Sequence, residues 1–324
     1  MLPDPGQPLL VARVSWPGRA ARTEFEQWLF GQVRQRRTHR GGFDPAPLPS
    51  GLLAALREGA ARYGTVLRIV ADDGRRAVLA AAVAEAERAQ RLDGERAREL
   101  AEWAPAPGSS RTDGVPPDSY PARAEHTDPD FPGRDYAHGH GWGLPPLSTA
   151  AWPRSAGVAA LLTTAQDRPA DWVNAGQGLQ RILLTAAAFG AAAALHTQPL
   201  EFGRLRESIR TRLSDGAYPQ LVLRFGTVIQ AEASIRRPPA DVLSASGSAI
   251  AAPARVEGPA PGICQRAFAA AVPIASTCGW AGRQLNLRAW PEARTPGQRF
   301  IGRAALRLLR WPSRGSPCQP GVNR

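Results

Sequence analysis

With 324 residues, 43% of them apolar and 21% charged, the chain can bury one large core or two modest ones and is too apolar to stay disordered throughout. All 40 basic residues are Arg, and the net charge of +12 is placed unevenly: residues 244–324 carry 11 Arg against two acids, a net +9, which leaves +3 for the rest. A near-neutral body argues against a nucleic-acid binder, which needs a basic face aimed at phosphates.

The chain opens with an N-terminal extension, residues 1–22, whose MLPDPGQPLLVARV start lacks the basic region and long apolar core of a signal peptide. The best apolar candidate for a membrane span, Ile182 to Leu195, is 14 residues of mostly Ala, short of the ~20 that a bilayer needs. A cytoplasmic protein is expected. Thr23 to Gln35 predicts a helix with Phe25, Trp28, Leu29 and Val33 on one face, and it runs directly into the basic stretch RRTHRGGF at Arg36–Phe43. Ser50 predicts the cap of a second helix carrying Leu52, Leu53 and Leu56, and Thr65 to Val70 alternates like a strand. Asp72 or Asp73 then starts an Ala, Glu and Arg-rich helix reaching about Trp103, with an interruption at Asp93-Gly94.

Between Ala104 and Arg154 lie ten prolines and six glycines, a density that forbids regular structure over most of residues 104–154. His126, His138 and His140 gather there with Glu125, Asp128, Asp130 and Asp135. Alternate residues in a Gly-rich loop rarely converge on an ion, and no metal site is expected.

Val158 to Thr164 predicts an apolar strand ended by Asp167 and Pro169. Asp171 predicts a helix cap, and Leu179, Ile182, Leu183, Ala186 and Gly190 follow at the three- and four-residue spacing of a buried face. Its small residues imply close neighbours. His196, after the Ala run, reads as a core or cap residue rather than a ligand. A helix from Glu201 to Leu213 stops at Asp215-Gly216, and Pro219 opens a buried strand, Gln220 to Phe225, before a loop holding Arg236 and Arg237. After Val242 the low-complexity SASGSAIAAPA connects to a basic tail, 244–324, read as disordered. Its Cys264, Cys278 and Cys318 share no C-x-x-C spacing and make neither a disulfide framework nor a zinc site.

The order helix, helix, strand, basic loop from Asp171 to Arg237 resembles the C-terminal half of a flavin-dependent nitroreductase, and more narrowly the Acg-like branch of actinobacteria. The resemblance implies an α+β, three-layer nitroreductase-like fold with a small mixed sheet flanked by helices, covering a domain at 23–243. It implies an FMN-dependent NAD(P)H oxidoreductase that passes hydride through the flavin to a small electron acceptor in ping-pong fashion. The alternative is a non-catalytic, flavin-binding or degenerate relative. By the same resemblance Arg36, Arg37, Thr38 and Arg40 are one half of the FMN phosphate site and Arg236 and Arg237 the other, with Gly176, beside Asn174 and Gln177, at the helix start near the cofactor. Guanidiniums grip a phosphate bidentately and a hydroxyl adds one donor. Gln198-Pro199 matches a loop placed near the flavin ring, and Arg134-Asp135-Tyr136, with Trp142, matches a lid over it. The family's tandem halves, and a His-Asn-Thr-Gln-Pro-Trp type segment of the first half, have no counterpart here, so Met1 reads as lying inside the first half; a homodimer is expected to complete each site, the alternative being a fragment.

Overall fold

The computed structural model describes residues 6, 10–15, 21–145, 154–228, 237–238, 284–288 and 307–308. In chain order its elements are β1 (Leu10–Ser15), α1 (Glu24–Gln32), α2 (Leu52–Ala61), β2 (Val66–Ile69), α3 (Asp73–Leu92), α4 (Gly94–Trp103), β3 (Val158–Thr164), α5 (Pro169–Ala188), β4 (Ala192–Leu195), α6 (Gly203–Leu213), β5 (Tyr218–Gly226), β6 (Gln284–Arg288) and β7 (Arg307–Leu308).

The central sheet has the order β2-β3-β5-β4, with every neighbouring pair antiparallel. A parallel contribution enters at its β4 edge through the bridge between Thr38 and Ala193. Alternate residues of the strands face two different helix layers. On one side Leu67, Ala160, Leu162, Leu223 and Phe225 pack against Leu52, Leu56 and Ala60 of α2 and Ala175, Ile182, Leu183 and Ala186 of α5. On the other, Ala159, Leu161 and Val222 meet Leu79 and Val83 of α3 and Ile209 and Leu213 of α6. The period-2 pleat thus sorts one strand's side chains into two cores, which makes three layers. At Thr163 the β3–β5 register shifts to accommodate Pro219, which has no N–H for the ladder.

Several helix boundaries follow the sequence closely. Thr23 and Glu26 form a reciprocal capping box on α1, Thr23 Oγ1 accepting from the Glu26 amide at 3.2 Å. Asp72 caps α3, and Asp93 both ends α3 and caps α4. Two start differently from expectation. Asp171 is not the N-cap of α5: Pro169 occupies its first position, where the missing N–H costs nothing, and the Asp171 carboxylate accepts from the Arg168 amide at 3.0 Å. Gly51, not Ser50, caps α2, in a left-handed conformation with φ of 77°. The Ala run after Gly190 is a strand, β4, which pairs with β5 from Ala192↔Gly226 to Leu195↔Leu223.

Between α4 and β3 the described chain is irregular apart from a short 3-10 turn, Pro117–Ser119. Most of 244–324 lies outside the described residues; β6 and β7, which belong to it, form a second sheet with β1 in the order β1-β6-β7. No described helix is long and apolar enough to cross a membrane.

Candidate active site

The chain segment after α1 crosses the open edge of β4, where the His39 amide donates to the Ala193 carbonyl at 2.8 Å. That crossing sets Thr38, His39 and Arg40 opposite the turn that leaves β4. Between them lies a cavity of about 240 Å³, lined also by Arg134, Tyr136, Leu195, His196, Thr197, Gln198 and Glu201. The cavity therefore sits where the sheet edge, the turn after β4 and the irregular 104–145 segment meet.

Much of its wall is buried. His196, Thr197 and Gln198 are buried, and His196 Nδ1, Thr197 Oγ1 and Gln198 Oε1 have no hydrogen-bond partner. Arg40 Nε and Arg134 Nε are likewise buried without a hydrogen-bond acceptor.

Behind the wall the charges are paired. Gln198 donates Nε2–H to Glu87 Oε1 at 2.5 Å, and Arg134 donates to Gln90 Oε1 at 2.8 Å while standing 3.6 Å from Glu87. Gln90 and Arg96 both donate to Glu201 Oε2, at 2.9 and 2.6 Å. Burial pushes the Glu87 and Glu201 carboxyls up, against the opposing charges of Arg134 and Arg96.

Behind His196, outside the cavity lining, lies a buried cation. Arg224 of β5 is 1% exposed, lies over the Phe43 and Phe131 rings at 5.3 and 4.7 Å, and donates Nη1–H to the Ala156 carbonyl and Nε–H to His196 Nε2, each at 3.0 Å. Among the described residues it forms no ion pair. Burial lowers its guanidinium to about 10, so it stays charged at neutral pH. His39, which donates Nε2–H to the Gly42 carbonyl at 2.9 Å, is lowered to about 4 by burial and by the charges of Arg224, Arg154 and Arg40. His196 is held well below the usual imidazole range by burial and by Arg224 and Arg134. The site thus carries its positive charge on arginines, with both imidazoles neutral.

Tyr136 closes one side, with the Arg40 guanidinium 5.5 Å and the Arg134 guanidinium 5.7 Å from its ring centre. Trp142 is not in the cavity wall; it stacks on His140 at 4.6 Å. His126 meets Asp130 at 2.7 Å, and among the described residues no group of three or more His, Cys, Asp or Glu is placed to hold a metal ion.

Of the residues singled out from the sequence, Thr38, Arg40, Arg134, Tyr136 and Gln198 come together here. Arg36 and Arg37 do not line the cavity; Arg37 donates to the Arg34 and Arg36 carbonyls at 2.5 and 3.0 Å, at the end of the turn after α1. Gly176 is on the exposed face of α5, and Arg237 is exposed, 3.7 Å from Asp113. Arg236 lies outside the described residues. Sequence reasoning missed His39, Glu87, Gln90, Thr197, Glu201 and Arg224. The signal for Arg224 was present as a charge inside the apolar run LVLRF, since a charged residue in a buried strand needs a reason.

A sequence model described as "Nitroreductase family" matches residues 33–226, the span from the end of α1 to the end of β5. "Putative NAD(P)H nitroreductase Rv3131" of Mycobacterium tuberculosis is 36% identical over 203 residues, 61% of this chain and 55% of its own. "Uncharacterized protein Rv3127" of the same organism is 30% identical over 229 residues, 69% of this chain and 63% of its own. The chain thus spans little more than half the length of the first of these relatives. Solved structures that the chain matches include a nitroreductase with bound FMN from Bacteroides fragilis, at 11% identity and a TM-score of 0.41, covering 67% of this chain and 98% of that one. Another is the FMN-dependent nitroreductase NfnB from Mycobacterium smegmatis in complex with NADPH, at 15% identity and a TM-score of 0.41, covering 69% and 100%. With residues 33–226 matched and the sheet, both helix layers and the cavity all inside that span, the chain belongs to the nitroreductase family.

Proposed function

We propose that this chain is an FMN-dependent NAD(P)H oxidoreductase whose cofactor sits in the cavity between Arg40, Arg134 and the turn His196–Gln198. The observation that carries the reading is the cavity itself, which sets Thr38, Arg40, Arg134, Thr197 and Gln198 around one space inside the span that matches the family. These residues fit a flat, polar-edged anion. Arg40 and the Thr38 hydroxyl would hold phosphate oxygens, while His196, Thr197 and Gln198 would meet the hydrogen-bonding edge of the ring system. When bound, FMN supplies the hydride acceptor and donor, in ping-pong order, between NAD(P)H and a small electron acceptor.

The protein's own part is binding, orientation and charge. Arg224 and Arg134 put fixed positive charge beside the cavity, which favours a ligand that gains negative charge on reduction. Neutral His39 and His196 add no titrating charge near pH 7. Family membership and the name of the relative at 36% identity support the NAD(P)H chemistry.

Phe25 and Trp28 expose large apolar side chains on one face of α1, 42% and 39% exposed, and this face is where a second copy would pack. A homodimer of this kind would bring Arg36, Arg37, Gly176, Arg236 and Arg237 into a composite site, as the family resemblance implies. A cytoplasmic location is part of the same reading.

A second reading has one observation in its favour: Tyr136, between two guanidiniums, stands across a side of the cavity. A lid held shut there gives a flavin-binding protein closed to nicotinamide. Titration of FMN fluorescence with the purified chain tests the shared premise. Saturable quenching is expected for wild type and a loss of about tenfold in affinity for Arg40→Ala; unchanged FMN fluorescence at high protein concentration contradicts both readings.

A further inference from the structure

The stretch that carries Thr38 and Arg40 is pinned at both ends. The bridge between Thr38 and Ala193 and the His39 amide, 2.8 Å from the Ala193 carbonyl, fix its start on β4. Phe43 exchanges two backbone hydrogen bonds with Ser155, each 2.9 Å, and fixes its end. Between them runs Arg40-Gly41-Gly42. The Arg40 side chain stays within its own stretch, Nη1 donating to the Thr38 carbonyl at 3.2 Å, so its position follows the backbone of this turn.

Gly42 is buried, and a buried amide needs an acceptor. It finds one 83 residues later: the Gly42 amide donates to Glu125 Oε2 at 2.7 Å, the short distance of a charge-assisted bond. The Gly42 carbonyl accepts from His39 Nε2 at 2.9 Å, so side chains hold both of its backbone groups. The two glycines leave room for these neighbours. A Cβ on Gly41 would stand 2.9 Å from Glu125 Oε2, and one on Gly42 would stand 2.3 Å from Arg154 Cβ. Glu125 is itself fixed, its carbonyl accepting from the Gly133 amide at 2.8 Å. Among the described residues it forms no ion pair, so its carboxylate does not neutralise Arg40 by direct pairing.

Resting on the FMN reading above, we propose that Glu125 is a positioning residue whose carboxylate, docked on the Gly42 amide, braces the Arg40–Gly42 turn and so sets how tightly Thr38 and Arg40 hold the phosphate end of the ligand. The irregular 104–145 segment thereby acts on the cavity through a residue outside its lining. Glu125 accordingly governs the preference for a flavin that carries a phosphate over one that lacks it. The affinity for the ring system alone does not depend on it.

The test is equilibrium fluorescence titration of the full chain with FMN and with riboflavin, which lacks the phosphate, with thermal melting to confirm that each variant folds. Wild type should bind FMN at least about tenfold tighter than riboflavin, as a charge-assisted contact requires. Glu125→Ala should lower that ratio at least about fivefold while riboflavin affinity changes by less than about twofold. Glu125→Gln keeps an oxygen for the Gly42 amide and should retain the wild-type ratio. Gly41→Ala pushes only on the free end of the Glu125 side chain, and it should lower the ratio in a chain that still folds.

An unchanged ratio in folded Glu125→Ala and Gly41→Ala overturns the proposal and leaves FMN binding intact. Equal loss of both flavins also overturns it, because Glu125 would then support the fold alone. If Glu125→Gln behaves like Glu125→Ala, the docked oxygen is not what matters and the proposal fails. Wild type binding FMN and riboflavin equally overturns it without any variant. Wild type binding neither flavin overturns the FMN reading itself.

Discussion

Arg224 donates Nε–H to His196 Nε2 across 3.0 Å within the sheet floor, so a permanently charged side chain and an imidazole share a space that water does not reach. A second proton on that imidazole would place two cations in contact. The arrangement therefore fixes His196 neutral, and His39, close to the same guanidinium, is held to about 4.

Acid stability follows from these imidazoles. Because the folded chain keeps His39 neutral down to about 4 while an unfolded imidazole titrates near 6.5, the unfolded state binds more protons between those values, and stability falls as pH is lowered through that window. His39 alone should account for about 1–2 kcal/mol lost between pH 6.5 and 5. Melting curves at pH 7 and pH 5 check this: wild type should lose several degrees in Tm and His39→Asn should lose less. An equal drop in both would contradict a neutral His39.

Asp167 acts in a lower window. Burial raises its carboxyl, but hydrogen bonds from Arg206, Trp172 and Gln220 and the Arg206 charge outweigh that and hold it at about 2. Its contribution is present above the ordinary carboxylate value and is lost as pH falls toward 2. Asp167→Asn keeps the shape and removes the charge; a cost of about 1–2 kcal/mol in urea unfolding at pH 7 is expected, since the pair is only partly buried. A cost below a few tenths would show that Arg206 does not depend on it.

Phe43 fixes the sheet end nearest the site, and Gly226 allows it to do so. A Cβ on Gly226 would collide with the Phe43 ring, which is fully buried and lies beneath Arg224. Gly226→Ala should cost about 1–3 kcal/mol by overpacking and weaken FMN binding, because Phe43 cannot move without releasing Arg224. Unchanged Tm and unchanged FMN titration would contradict this coupling.

The apolar face of α1 gives a test of assembly. Phe25 is 42% exposed and lies away from the cavity wall, so Phe25→Asp should leave the monomer fold intact and convert a dimer to a monomer in sedimentation velocity. A wild-type monomer at tens of micromolar would remove the two-copy site from the proposal.

Much of this architecture was legible in the residues, and the exceptions share a cause. Val158–Thr164 is the strand its apolar run predicts, and Asp93 marks the α3–α4 break that Asp-Gly signals. Ala192–Leu195 was hidden because a short Ala run has no strand propensity of its own; pairing with β5 makes it a strand. The site behaved similarly. Thr38 and Arg40 stand out as hydroxyl and cation in one short basic stretch, whereas Glu87, Glu201 and Arg224 acquire meaning only when α3, the turn after β4 and β5 converge from distant parts of the chain. His196 read as a core residue and is one, but its unpartnered Nδ1 is visible only in three dimensions.

The central claim is tested most directly by passing the full chain, incubated with FMN, over a desalting column and recording the visible spectrum before and after anaerobic NADPH. The account predicts flavin bands eluting with the protein and bleaching on addition of NADPH. Bands that persist would favour the closed-lid reading, and a protein that elutes colourless would contradict the account.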